Sequence, residues 1–166
     1  MVPVSDPMPV PWDHFEVQAP ELAERIRLRF ESHIHAVMAT LRRDGSPRLS
    51  GMEAPIRDGH LWLGMMPGSR KAADLLRDPR FSLHSSPDTE ELTLGDTRID
   101  GLAVAATPVE VDLFVAGHRM PIDNPHDTMA LFTAHISRAT LTRVEGQELL
   151  IETWTPSDGL QEIRRS

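Results

Sequence analysis

Along the chain the spacing of apolar residues changes period several times, and each change predicts an element. Residues 1–19 hold Pro3, Pro7, Pro9 and Pro11, which block helix and central strand alike, so they predict an extended arm. Trp12 and Phe15 within it predict that the arm lies against something apolar, such as a second subunit. Pro20 suits the first turn of a helix, and Leu22, Ile26 and Phe30 then recur every four positions, giving a helix over 20–31 that covers a core. The period shortens after that. Residues 34–41 are a short apolar run, Asp44 and Gly45 signal a hairpin, and 48–53 read as the partner strand. Asp58 and Gly59 mark a second hairpin turn into an apolar strand that starts at His60.

Pro67 and Gly68 end that strand in a tight turn, and Ser69, a favoured N-cap, opens a helix with Ala72, Ala73, Leu75 and Leu76 on its apolar side. Pro79 cannot continue it. Residues 80–84 alternate as a half-buried strand, with Phe81 and Leu83 inward. Residues 85–96 read as an acidic surface loop through Asp88, Glu90 and Glu91. The stretch 97–111, rich in Val, Ala and Thr, predicts a strand long enough to bend around a barrel, with Gly101 as a bulge. A helical turn or two is expected over 112–118, a break over 120–125, and a short helix over 126–134 with Met129, Leu131 and Phe132 apolar. Residues 137–144 and 148–154 form a last hairpin around Gly146, and 155–166 end the chain as a tail. The sum is a mainly β protein: a small antiparallel barrel with peripheral helices, divided into an arm, 1–19, and a single domain, 20–166.

Composition narrows what this barrel does. Its 166 residues fit one domain and bury a substantial core. With no cysteine, disulfide, thiol and cysteine-ligated zinc chemistry are excluded. A formal charge of -8 argues against a general nucleic-acid binder, which needs a basic face for phosphates. No apolar run reaches the length of a membrane helix, and the first residues lack the basic-then-apolar order of a signal peptide, so the expected setting is the cytoplasm, without a membrane partner. The eight histidines are scattered; His33 and His35 share a strand face without a third ligand, and no metal site is expected. There is no sign of a serine nucleophile and no buried carboxylate pair, so no catalytic side chain is assigned.

What remains is anion chemistry. Around Ser69, Arg70 and Lys71 a turn, a hydroxyl, two cations and a helix N-terminus coincide, a combination that supplies backbone N–H donors, a guanidinium able to hold two phosphate oxygens and a point charge. On its own the stretch also fits a capped surface helix with two solvated cations. Arg48, Ser50 and Met52 share one strand face by period two, and Trp154 offers a flat apolar surface. Each alone reads better as an ordinary solvent-facing strand arginine or a core tryptophan.

Taken in order, these pieces resemble the pyridoxamine 5'-phosphate oxidase-like family of FMN-binding split β-barrels. The resemblance rests on the N-terminal helix, the strand 36–41, the turn from Arg43 to Pro47, the strand carrying Arg48, the segment 68–71 and the run Asp78, Pro79, Arg80, and it continues in 142–146 and 152–156 as the C-terminal hairpin. It implies a split antiparallel barrel and a homodimer with FMN, or alternatively the deazaflavin F420, in a cleft between subunits. The phosphate roles would fall on Arg48, Ser69, Arg70 and Lys71. The segment Leu49, Ser50, Gly51, Met52 and the pair Met65, Met66 would lie along the ring, with Trp154 closing the site from the partner. The implied function is hydride transfer to or from a small molecule by the bound cofactor, with a non-catalytic flavin or haem carrier as the alternative. Two departures argue against oxidation of pyridoxamine phosphate itself. Glu53 stands where the oxidases have a phosphate-binding lysine, and Leu160, Gln161 and Glu162 occupy the region of their Arg-x-His motif. The anionic tail of F420 would ask for more cations than Arg70 and Lys71, which favours FMN.

Overall fold

A computed structural model describes residues 8–87 and 92–166. Pro3 and Pro7 of the expected arm and Asp88, Glu90 and Glu91 of the expected acidic loop lie outside the described residues.

Extended chain gives way to helix sooner than the prolines imply. Helix α1, Trp12–Gln18, begins directly after Pro11, which sits at the N-cap, where its missing N–H costs nothing. Trp12 and Phe15 are buried in this chain's own core, not against a second subunit. Helix α2, Pro20–Glu31, has the expected bounds and turns Leu22, Ala23, Ile26 and Phe30 inward. It is pinned over the sheet by Arg25, whose guanidinium donates to buried Glu152 at 3.0 Å.

Strands β1, Ala36–Leu41, and β2, Pro47–Met52, form the first hairpin, and β3, Ile56–Arg57, turns into β4, His60–Met65. Helix α3, Arg70–Arg77, follows, then β5, Arg80–His84, and β6, Asp96–Ala105. A register shift between Asp100 and Gly101 places the expected bulge. A Cβ on Gly101 would lie 2.0 Å from the His135 carbonyl oxygen, so only glycine permits this approach.

Three differences from the pattern-based reading have physical reasons: a helix cap in the first, and burial on an unexpected number of faces in the other two. The strand predicted over 97–111 stops at Ala105, because Thr107 and Glu110 form a reciprocal capping box and Pro108 opens α4, Pro108–Ala116. The helix expected over 126–134 is a short α5, Pro125–Thr128, followed by β7, Ala130–Glu145. Residues 131–134 are buried on both faces: Leu131 meets Trp62, Val111 and Phe114 on one side, while Phe132 and Ala134 enter the main core on the other. A strand covered twice shows no alternation, so its pattern mimics a helix. The tail, finally, is not a tail. After β8, Glu148–Thr155, the chain turns at Asp158 and Gly159 into β9, Gly159–Arg165, an edge strand whose exposure hides any period.

The nine strands form one antiparallel sheet in the order β2-β1-β5-β6-β7-β4-β3, with β8 and β9 continuing from the far half of β7. β7 thus pairs β6 along one edge and β4, then β8, along the other. The sheet curls so that β2 and β4 approach each other without a hydrogen-bonded ladder between them, which leaves the barrel split at that seam. Among the described residues no helix is long and apolar enough to cross a membrane.

Candidate functional site

Helix α3 lies beside the seam, and its first turn is built as the sequence predicts. Ser69 is extended at φ -70°, ψ 149°, and its hydroxyl accepts from the Ala72 N–H at 3.3 Å. Ala72 and Leu75 are buried. Asp74 is buried with them, an acid on the inner side of an otherwise apolar stripe.

That carboxylate organises its neighbourhood. Its Oδ2 accepts from the Thr40 hydroxyl of β1 at 2.9 Å and from Arg48 Nε of β2 at 2.6 Å, and its Oδ1 accepts from Arg77 at 3.1 Å. Burial raises its pKa, but the donors from Arg48, Thr40 and Arg77 outweigh burial and hold it below the ordinary carboxylate value. Arg48 is bound through Nε, and the two terminal nitrogens of its guanidinium have no partner among the described residues.

Above this pair opens a cavity of about 400 Å³ between α3 and the β1–β2 turn. From the helix come Arg70, Ala73, Asp74 and Arg77, spaced i, i+3, i+4, i+7 and therefore on one face. From the hairpin come Arg42, Arg43, Asp44 and Arg48. Arg77 also donates to the Leu41 carbonyl, and Arg42 donates to the Pro47 carbonyl and to Ser46 Oγ. Arg43 and Arg70 have no partner among the described residues. Asp44 faces its own turn, accepting from the Ser46 hydroxyl and N–H, which lower its pKa.

The residues expected to bind a cofactor divide into three groups. Arg48 and Arg70 meet at the cavity, with Ser69 capping the helix beside it. Lys71 does not line the cavity; its ammonium donates to the Gly51 carbonyl at 3.1 Å, tying α3 to β2 across the seam, and burial lowers its pKa. Along β2, Arg48 and Ser50 are half-buried and Met52 buried on one face, while Leu49 and Gly51 are exposed on the other. Met65 is buried, and Met66 lies exposed past the end of β4. Glu53 follows β2 on the parity of Leu49 and Gly51, opposite to Arg48, and is exposed. Trp154 is a different matter. It is fully covered by its own chain, its ring 4.8 Å from that of Phe15, so in this arrangement it reaches no surface and no partner.

Pattern reading missed Asp74, Arg42, Arg43 and Arg77. The signal was present in the i, i+4, i+7 spacing of Arg70, Asp74 and Arg77, and in an acid interrupting an apolar stripe. Arg43 was read only as a turn residue, and Arg42 was not singled out.

The class the fold defines is a split antiparallel barrel, here with a guanidinium-lined cavity beside its seam. The model of the pyridoxamine 5'-phosphate oxidase family matches residues 22–131, and the chain belongs to this family. No curated protein matches the chain. Among solved structures it resembles PhzG from Burkholderia lata 383 in complex with tetrahydrophenazine-1-carboxylic acid, at 12% identity and TM-score 0.66, covering 94% of this chain and 93% of that one. It also resembles a pyridoxamine 5'-phosphate oxidase-related, FMN-binding protein from Nostoc punctiforme, at 11% identity and TM-score 0.61, with 92% and 93% covered. An F420 reductase is similar at 13% identity and TM-score 0.50, with 64% and 88% covered. At these identities the likeness is one of fold. The family takes its description from an oxidase.

Proposed function

We propose that this chain is an oxidoreductase that binds FMN, with F420 as the alternative, and transfers a hydride to or from a small molecule. The observation that carries the reading is Arg48, held by buried Asp74 so that its free guanidinium edge shares a cavity with unpartnered Arg70. Such a pair, with the nearby N-terminus of α3, fits a dianionic phosphate, which is best held by charge-assisted bonds from preplaced donors. The flavin-type ring would supply the redox chemistry. This chain's residues would do the rest. Arg48 and Arg70 would hold the phosphate, Lys71 would fix the backbone at Gly51, and Ser50, Met52 and Met65 would form one wall for the ring.

One wall is not a closed site. Leu49 and Met66 are 71% and 77% exposed, and Gly51 has nothing within 4 Å of a Cβ position. β2 is moreover an edge strand. These features support a homodimer in which a second copy covers this edge of the sheet, with the cofactor cleft at the subunit interface.

The test is a fluorescence titration of the purified protein with FMN and with F420, repeated on Arg48→Ala and Arg70→Ala. Micromolar binding that each variant weakens by ~10-fold, the scale of one charge-assisted hydrogen bond, is the expected result. Binding of neither cofactor refutes the reading. Binding without turnover of reduced cofactor above its free rate, across a panel of acceptors, would make the protein a carrier instead of an enzyme.

A further inference from the structure

The cavity holds more positive charge than one phosphate needs. Five guanidinium groups line it against two carboxylates, Asp44 and Asp74, in a chain whose overall charge is -8. Asp74 is shared by Arg48 and Arg77, and Asp44 is turned to Ser46, so the excess is three. A phosphate monoester brings about two negative charges at most. Gathering like charges around a cavity is repulsive unless an anion offsets it.

The excess is also held in place. The β1–β2 turn is locked by Arg42 N–H to Ser46 O at 2.8 Å, Gly45 N–H to Arg42 O at 2.9 Å, and Ser46 N–H to Asp44 at 2.9 Å. Arg77 is fixed at the base of the turn by Asp74 and the Leu41 carbonyl. Arg43 stands on this rigid turn with no partner among the described residues, across the cavity from Arg70. A solvated surface arginine needs none of this scaffolding.

We propose that the β1–β2 turn, through Arg43 with Arg77 behind it, forms a second anion subsite, and that the ligand of this cavity carries two linked anionic groups. This rests on the reading of Arg48 and Arg70 as the first subsite. The class is an organic polyanion, in which a phosphate continues into a second phosphate or into carboxylates. A single terminal phosphate leaves the turn unused. The expectation that F420-like tails lack cations here counted only Arg70 and Lys71; the hairpin and the end of α3 supply three further arginines, so within the proposed function the second subsite moves the preference from FMN to its alternative, F420.

Calorimetric titration of the full-length protein with inorganic phosphate and with pyrophosphate, at low ionic strength, tests it. Pyrophosphate should bind at least ~10-fold more tightly than phosphate. Arg43→Ala should remove most of that preference and leave phosphate binding within about twofold, while Arg70→Ala weakens both. Arg119→Ala, an equal charge change at an exposed site that does not line the cavity, should leave the preference intact. Equal losses in Arg43→Ala and Arg119→Ala would mean unspecific electrostatics and overturn the proposal. Phosphate binding with no preference for pyrophosphate overturns the second subsite and leaves the first. Binding of neither anion overturns both. Competition of bound pyrophosphate by FMN, FAD and F420 then separates a diphosphate from a carboxylate tail: displacement by FAD or F420 at lower concentration than by FMN is expected, and FMN as the best competitor contradicts the proposal.

Discussion

Replacing Asp74 by alanine should damage the fold and the site together, and the structure sets the size of the effect. The carboxylate accepts from Arg48 at 2.6 Å, from Thr40 at 2.9 Å and from Arg77 at 3.1 Å. The Arg48 side chain is only 18% exposed, so that bond contributes about 2 kcal/mol. The Arg77 side chain is 34% exposed, where water screens the charge, and it is worth under ~1 kcal/mol. Loss of the Thr40 bond adds about 1 kcal/mol and leaves its hydroxyl buried without that partner. Asp74→Ala should therefore cost about 3–4 kcal/mol, roughly 10 °C of melting temperature for a domain of this size. Asp74→Asn keeps the shape and one acceptor oxygen, and about half that loss is expected. The pH dependence carries a sign. Because the native carboxyl titrates below the unfolded value of about 3.9, its stabilisation is complete above that value and is lost as pH falls through the lower native pKa. Urea unfolding followed by circular dichroism, from pH 7 down to 3, should show the gap between wild type and Asp74→Asn narrowing at the acid end. A loss below ~1 kcal/mol for Asp74→Ala at pH 7, or a gap that does not change with pH, refutes the reasoning.

Three other outcomes follow from single contacts. Gly101→Ala places a Cβ 2.0 Å from a backbone oxygen that no rotamer change can move, so it should cost more than about 3 kcal/mol or abolish folding, whereas Gly51→Ala, with nothing within 4 Å, should stay within about 1 kcal/mol; unfolding curves of the pair decide. Ser69→Ala removes the N-cap acceptor of α3 and should lose about 1 kcal/mol, largely restored by Ser69→Asn, with the helix otherwise retained by circular dichroism. Arg80's side-chain bonds hold Asp78 down to about 2, so an NMR titration should find that value in wild type and a return toward the ordinary range in Arg80→Ala, while an unchanged value would contradict the pairing.

Elements were legible in the sequence where one face is buried and the other wet. Leu22, Ile26 and Phe30 set α2, Phe81 and Leu83 set β5, and Ser69 with Pro79 framed α3, all within a residue or two of the structure. Where burial is two-sided or absent, period carries no signal. Leu131 and Phe132 feed different clusters and looked helical, while β9 is wet on nearly every side and looked like a tail. The N-terminal helix was hidden by prolines that all precede it. Around the cavity, Arg48, Ser69 and Arg70 were singled out by motif order. Arg77 shares a helix face with Arg70 by its i, i+7 spacing, but Arg43 comes within reach of them only because Asp74 and the hairpin turn fold α3 against β1 and β2, a tertiary fact that spacing along the chain does not encode. Trp154 was misplaced for the converse reason: its ring is claimed by Phe15 of a helix the sequence reading had left as an arm.

The double edge of β7 also governs how the molecule comes together in time. Its first residues pair with β4, joining Thr133 to Trp62, while its later ones pair with their near neighbour β8. The hairpin of β7 and β8 can therefore form early, by closing a short loop, whereas the β4 ladder must wait for a long stretch of chain to be reeled in. β6 has to meet β7 in two registers separated by the bulge at Gly101. Topologies dominated by such distant pairings fold on the millisecond-to-second scale instead of microseconds. Until β4 arrives, the apolar edge of residues 130–133 is uncovered, which makes that segment the place where nascent chains of this protein would associate with one another.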